Sequence, residues 1–199
     1  HITARTNNKE HFKSSIADVW KAFELHTYEI VLLFKVKIHA LVIMPNHFHM
    51  LITTPHEDVG KVMMYFMRSV TRTLNLLSGR SGRVFSSRYH WCLVQNEHYY
   101  WHALKYIYRN PVRAKLCEKA ELYPYSTLHG LSGHNQLLIP CVPLDKVYQQ
   151  SFNEFLDWID HPTPKEHTEA IQKALRRVKF QLPRDPTNKH AHSLENELS

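Results

Sequence analysis

Apolar and polar residues along the first third of the chain follow a period that changes from strand to helix and back. HITARTN at the start alternates as a strand does, and residues 14–30 carry apolar side chains at helical spacing after two serines that can cap a helix. Residues 33–44 alternate again, Pro45-Asn46 is a turn signal, and residues 47–55 return as a partner strand. The pattern therefore predicts a strand, a helix and a β-hairpin.

Two more helices and a fourth strand are predicted in the middle of the chain. Residues 58–77 place their apolar side chains on one helical stripe, and a loop rich in Gly, Ser and Arg follows at 78–88. YHWCLVQ (89–95) is the candidate fourth strand, and residues 97–110 form a helix that Pro111 stops. The order β-α-β-β-α-β-α matches an α+β fold of the ferredoxin-like, split βαβ type, an antiparallel sheet with helices on one face and one added helix.

The character of the sequence changes after about residue 118. Residues 122–144 are rich in turn formers, residues 151–159 predict a short helix, and residues 164–180 predict an amphipathic helix. The apolar stripe of that last helix consists of Ala170, Ile171, Ala174, Leu175 and Val178. After Pro183 the tail is polar, and we expect it to be disordered. We divide the chain into a domain at 1–131 and a C-terminal helical extension at 132–199.

Composition narrows the class of protein. The 199 residues suit one domain, and no apolar run approaches the ~20 residues that span a bilayer. Three widely spaced cysteines favour a reducing cytoplasm over a disulfide framework. No signal peptide is visible, although the chain opens at His1 and its true N-terminus could be missing. The net charge of +7 indicates a polyanionic partner, with general solubility as the alternative.

The hairpin carries a pair of histidines that could bind a metal ion. On a strand, His47 and His49 point to the same face while Phe48 points to the opposite layer. Imidazoles about 7 Å apart along one strand can share a divalent ion and leave coordination positions open for catalysis. The alternative is a solvent-facing pair in a chain that contains 16 histidines.

The helix at 97–110 offers partners for that pair. Tyr106 and Asn110 are four residues apart and share one helical face, so a hydroxyl and an amide oxygen could approach the ion together. A metal bound to a phosphodiester can align it for attack by a phenol. Tyr99, Tyr100 and Tyr108 are rivals, although Tyr100 lies on the apolar stripe and Tyr108 points away from Tyr106. The alternative role for Tyr106 is a partly buried aromatic residue.

Basic residues recur at positions where they could track a phosphate backbone. The candidates occupy the helix at 58–77, the loop after it, the segment after the tyrosine helix and the last helix: Lys61, Arg68, Arg72, Arg80, Arg83, Arg88, Arg113, Arg176 and Arg177. Solvated surface charge is the alternative for all of them.

Two motifs in this order resemble a known family. VIMPNHFHMLI, followed some sixty residues later by YIYRNPVRAKL, is similar to the REP-associated tyrosine transposases of the single-tyrosine HUH class. HITARTNNKEHF and GRVFSSRYHWCLV resemble the first strand and the region before the tyrosine helix, so the likeness covers about residues 1–131. One departure is Lys115, where the family often has glycine, and we expect a change at the surface without effect on the chemistry.

The resemblance implies a catalytic domain that cuts and rejoins single-stranded DNA through a 5′-phosphotyrosine intermediate. It implies Tyr106 as the nucleophile, and His47, His49 and Asn110 as ligands of Mg²⁺ or Mn²⁺. We expect Mn²⁺ to support activity at least as well as Mg²⁺, because imidazole suits the later metals. The expected substrate is DNA with hairpin-forming palindromic repeats, in a bacterial cytoplasm at the nucleoid.

Other readings of the sequence stay open at this stage. A replication initiator or relaxase shares the HUH chemistry but usually carries further domains. A non-catalytic protein could instead bind single-stranded nucleic acid through exposed aromatic residues on a ferredoxin-like sheet. The short QNEH link before the tyrosine helix favours a monomer acting in cis over a dimer that exchanges this helix.

Overall fold

The computed structural model describes residues 1–56, 58–143, 151–183 and 192–195. Four strands form one sheet in the order β2-β3-β1-β4, and each neighbouring pair is antiparallel. The strands are β1 (Ile2–Arg5), β2 (Lys37–Met44), β3 (His47–Thr53) and β4 (His90–Trp91). This order is that of the ferredoxin-like split βαβ sheet, so the predicted fold class is confirmed.

Seven α-helices surround the sheet in the described part of the chain. They are α1 (Ile16–Phe34), α2 (Val59–Ser78), α3 (Glu97–Tyr108), α4 (Asn110–Arg113), α5 (Thr127–Leu131), α6 (Phe152–Asp160) and α7 (Lys165–Leu175). Single 3₁₀ turns lie at Asn7–Lys9, Ala120–Leu122 and Ser193–Glu195. Among these described helices, none combines the length and apolar character needed to cross a bilayer.

The sheet separates two hydrophobic cores. On one face, α1 and α2 pack over a cluster in which Phe48 contacts the rings of Phe23, Phe66 and Phe85. On the other face, α3 lies across β2 and β3, and α6 and α7 complete the layer. Phe48 is fully buried on the α1/α2 side, as the alternation on β3 predicts. The neighbouring histidines therefore face the layer that contains α3.

The boundary between α1 and β2 differs from the prediction. Ser15 caps α1 as expected, since its side chain accepts a hydrogen bond from the backbone N–H of Asp18. The helix continues to Phe34, however, and ends at Lys35, which adopts a left-handed conformation with φ of 56°. The strand therefore begins at Lys37 instead of residue 33. Apolar residues at 30–34 fit both periods over so short a run, and packing against α2 decides for the helix.

The C-terminal helix is shorter than predicted. Helix α7 ends at Leu175, so Val178 leaves the apolar stripe and is 62% exposed, while the backbone N–H of Leu93 donates to the Val178 carbonyl. In the tail after Pro183, Leu194 is buried in the core beside α3 and α7. Apart from 192–195, the tail for which we expect disorder lies outside the described residues.

The segment after α3 turns sharply at Lys115. The backbone N–H of Leu116 donates to the carbonyl of Pro111, and that of Lys115 donates to Val112, which is the Schellman arrangement. Lys115 itself has a φ of 57°, a conformation that glycine adopts without steric cost. The side chain is exposed, which confirms a surface change. The backbone geometry also gives a physical reason for glycine at this position in the resembling family.

Candidate active-site cleft

The four residues predicted for catalysis line one open cleft of about 590 Å³. His47 and His49 come from β3, Tyr106 from α3 and Asn110 from the start of α4. Pro111 is accommodated in the first turn of α4, where a missing N–H costs nothing. Tyr106 and Asn110 therefore still lie on the same side of the chain, although the chain turns after Tyr108. Tertiary folding brings together residues that are some sixty positions apart in the sequence.

Both histidines have their Nδ1 atoms engaged by neighbours. His47 Nδ1 lies 2.7 Å from Asn46 Oδ1, which can only accept, so His47 donates from Nδ1 and carries its available lone pair on Nε2. His49 Nδ1 lies 2.9 Å from Nε2 of His1, and the two rings stack. The centroids of the His47 and His49 rings are 5.1 Å apart. Nε2 of His47 is therefore available to a ligand, and Nε2 of His49 is available in the tautomer whose Nδ1–H donates to His1.

The surroundings keep both imidazoles neutral at pH 7. Burial lowers the pKa of His47 to about 4, and the charge of Arg5 adds to that shift. Burial also holds the pKa of His49 well below its usual value, with smaller contributions from His47, Arg113 and Arg5. Because only neutral imidazole has a lone pair for a metal, both residues are in the form that ligation needs.

Tyr106 stands directly beside the histidine pair. Its ring meets that of His49 edge-on at 90°, with the centroids 5.9 Å apart. The guanidinium carbon of Arg113 lies 4.5 Å from the centre of the Tyr106 ring. Tyr106 is mostly buried yet lines the cleft. These contacts hold the phenol between an imidazole and a cation.

Asn110 is positioned to offer an oxygen to the cleft. Its Nδ2 donates to the carbonyl of Tyr106 at 2.9 Å, so Oδ1 is the atom left for other partners. Within the described ranges, no group of three His, Cys, Asp or Glu side chains could hold a metal ion. Two imidazole nitrogens with an amide oxygen form a donor set that suits Mn²⁺ and can accept Mg²⁺. The residues present fit the implied ion.

The rival tyrosines are occupied elsewhere. Tyr108 is fully buried, and its hydroxyl donates to the carbonyl of His39 and contacts the Thr127 hydroxyl. The Tyr100 hydroxyl lies 3.2 Å from His39 Nδ1, and burial raises the pKa of Tyr100 well above its usual value. The ring of Tyr99 packs against Phe180. Of the four tyrosines on α3, Tyr106 is the one that lines the cleft.

The walls of the cleft are strongly basic. Its described lining contains four arginines and no aspartate or glutamate: Arg5, Arg88, Arg113 and Arg176. Three of these were candidates from the sequence, whereas Arg5 was not. Arg176 reaches the cleft because α7 packs beside α3 and the backbone carbonyl of Leu175 contacts His90 Nε2. The C-terminal extension therefore forms part of the site.

A second groove of about 1270 Å³ runs between α2, the loop at 79–89 and Trp91 of β4. Its lining includes Arg68, Arg72, Arg80, Arg83 and Arg88 together with the exposed ring of Trp91. Arg88 lines both the groove and the cleft, so basic side chains continue from one to the other.

Two sequence candidates for DNA contact lie outside both cavities. The ammonium of Lys61 lies 5.9 Å from the centre of the Phe34 ring, and Arg177 donates to the side-chain oxygen of Gln181.

Sequence reasoning missed the residues that contact the candidate catalytic ones. His1 and Asn46 hydrogen-bond the two histidines, and Arg5 faces them across the β1–β3 pairing, where it is the register partner of His47. The alternation of β1 could have indicated Arg5, because it shares a face with Thr3 once β1 is paired with β3. Nothing in the sequence indicates the contact between His1 and His49, which depends on strand register.

The sequence matches no protein-family model, and no curated protein matches it. Among solved structures, the chain is similar to a REP-associated tyrosine transposase bound to a REP hairpin. The two share 19% identity with a TM-score of 0.50, and the match covers 72% of this chain and 84% of that chain. At this identity the likeness establishes the fold, which agrees with the resemblance noted from the two motifs.

Proposed function

We propose that this protein is a metal-dependent single-tyrosine DNA transposase that cuts and rejoins single-stranded DNA at hairpin-forming repeats. One observation carries the proposal. Tyr106 touches His49 in a cleft that also holds His47 and Asn110, and the described walls of that cleft are basic without a carboxylate. The similar transposase structure, which is bound to a REP hairpin, supports the same substrate class.

The proposed reaction exchanges one phosphoester for another. The Tyr106 oxygen attacks the scissile phosphorus, a bond from tyrosine to the 5′ phosphate forms, and the bond to the 3′ oxygen breaks. The phenolic proton passes to water in the cleft, and the leaving 3′ oxygen takes up a proton. Because the phosphotyrosine ester keeps the energy of the broken bond, a DNA 3′-OH can reverse the step without ATP.

His47 Nε2, His49 Nε2 and Asn110 Oδ1 are the proposed ligands of Mg²⁺ or Mn²⁺. When bound, such an ion neutralises charge on the phosphate and aligns it for in-line attack. The arginines of the cleft bind the strand, and the contacts of Arg113 and His49 hold the Tyr106 ring in place. The short QNEH link before α3 supports a monomer that acts in cis.

The alternative of a non-catalytic nucleic-acid-binding sheet has less support. That mode needs aromatic side chains on an open sheet face. In the described part of the chain, α1 and α2 cover one face and α3 crosses the other. Of the two sheet aromatics in that part, Phe48 is fully buried, and Trp91 alone is exposed, on the edge strand β4.

The central test is covalent capture of DNA. Purified protein is incubated with a labelled hairpin oligonucleotide carrying single-stranded flanks, with Mn²⁺, Mg²⁺ or EDTA, and resolved on a denaturing gel. We expect a protein–DNA adduct with either ion, at least as much with Mn²⁺, and none with EDTA. Hairpin binding without any adduct across a range of flanking sequences would reject the transposase proposal.

His1 is expected to act as a positioning residue for His49. Replacing His1 with alanine removes the partner of His49 Nδ1 and should weaken Mn²⁺ binding about 10- to 100-fold. Calorimetric titration of Mn²⁺ into the protein measures this directly. His1→Gln can still hydrogen-bond and should restore much of the affinity, whereas His98→Ala, remote from the cleft, should leave it unchanged. Equal Mn²⁺ affinity in wild type and His1→Ala would exclude the role.

A further inference from the structure

A smaller cavity of about 140 Å³ adjoins the cleft between α3, α6 and α7. Tyr106 and Arg113 line both spaces, so the candidate nucleophile stands at the boundary between them. The wall formed by α6 includes Trp158, and α7 contributes Thr168 and Ile171. We call this space the adjoining cavity.

One wall of the adjoining cavity carries three cations. Lys105, Arg109 and Arg113 are spaced four residues apart and therefore lie on one side of the α3–α4 segment. The Lys105 ammonium sits 4.8 Å from the centre of the Trp158 ring, and Arg109 donates to the backbone carbonyls of Ile159 and Asp160. These contacts fix the cations in place. The described lining of the cavity contains no aspartate or glutamate.

The positive charge of Arg109 in this wall is only partly compensated. Burial lowers the pKa of Arg109, the carboxylate of Asp160 raises it, and the neighbouring Arg113 lowers it again. Asp160 already accepts a hydrogen bond from the backbone N–H of Ala120. An anion in the cavity would reduce the repulsion between the guanidinium groups.

The opposite wall presents hydrogen-bond donors. Helix α7 begins at Lys165, and its N-cap residue Pro164 provides no side-chain cap. Thr163 and Thr168, on either side of that start, both line the cavity. The positive end of the dipole of this 11-residue helix favours a negative ligand here. Hydroxyl and cationic donors thus surround one small space beside the start of α7.

We propose that the adjoining cavity binds a backbone phosphate of the DNA strand, next in line to the phosphate that Tyr106 attacks. The proposal rests on the proposed function and adds Lys105, Arg109 and Thr168 to the substrate-binding residues. Because the cavity and the cleft share Tyr106 and Arg113, a strand bound in the cleft has its neighbouring phosphate within reach of this wall. Holding that phosphate fixes the strand in register with the nucleophile.

The test combines neutral phosphate analogues with a charge substitution. Each phosphate of the single-stranded flank is replaced in turn by an uncharged methylphosphonate, and hairpin affinity is measured for wild type and Lys105→Gln. We expect one position to weaken wild-type binding about tenfold. Lys105→Gln should bind the unmodified DNA about tenfold more weakly. Its affinity should not fall further when the phosphate at that position is replaced by a methylphosphonate. Lys173→Gln, an exposed charge on α7 outside both cavities, should keep the wild-type pattern.

A second variant and a second ligand complete the test. Thr168→Val keeps the shape of the side chain and should reduce the effect of the same methylphosphonate, so the proposal does not depend on one substitution. If, for both variants, the loss of hairpin affinity from the substitution and the loss from the methylphosphonate add at every position of the flank, the proposal is overturned. Binding of inorganic phosphate that requires Lys105, without a coupled DNA position, assigns the cavity to a free anion and also overturns it.

The outcomes separate this inference from the proposed function. An adduct without a coupled phosphate position overturns the phosphate site alone. A coupled position without any adduct supports the phosphate site and rejects the cleavage chemistry.

Discussion

A Tyr106→Phe variant is expected to lose covalent attachment to DNA by at least about 1000-fold. Phenylalanine keeps the ring between His49 and Arg113 and removes only the oxygen that would attack the phosphate. Folding and hairpin binding should therefore remain close to wild type. The adduct assay on a denaturing gel measures the loss, and a native gel with the same oligonucleotide measures binding.

The matched control is Tyr100→Phe on the same helix. Its hydroxyl contacts His39 and not the cleft, so the adduct should persist apart from any effect on stability. A Tyr106→Phe protein that still forms the adduct would show that another residue is the nucleophile. Mapping the DNA-linked peptide by mass spectrometry would then identify it.

His47→Ala should reduce adduct formation about 100- to 1000-fold while leaving hairpin affinity nearly unchanged. The variant removes one proposed metal ligand but none of the four arginines that line the cleft. His49→Ala should show a similar catalytic loss and an additional loss of stability. His49 is buried, and its removal leaves Nε2 of His1 without a partner, at a cost of about 1–3 kcal/mol.

His39→Ala provides the comparison for these variants. His39 is also a half-buried histidine of the hairpin, but it bonds Thr53 and Tyr100 and does not line the cleft. It should retain metal-dependent adduct formation. Parallel loss of DNA binding and cleavage in His47→Ala would instead point to a role in holding the nucleic acid.

The elements with long, regular periods were predictable from the sequence. The α2 stripe and the β2–β3 hairpin formed as expected because each buries a face that its own residues define. Tyr106 and Asn110 also lie on the same side of the chain, as their spacing predicts, because a helix fixes which residues share a face. Errors arose at ends, where local pattern is weak: α1 runs to Phe34, and α7 stops at Leu175.

The sequence by itself determined the fold class, from the order of its elements, and two local pairs, His47 with His49 and Tyr106 with Asn110. Each pair depends on neighbours within a few positions, where strand or helix geometry alone sets direction. Only the tertiary structure decided that the two pairs meet in one cleft and what surrounds them: the bond from His1 to His49, the approach of Arg5, and the contribution of α7 to the cleft. Those contacts join residues 40 or more positions apart, and strand register and helix packing across the sheet select them.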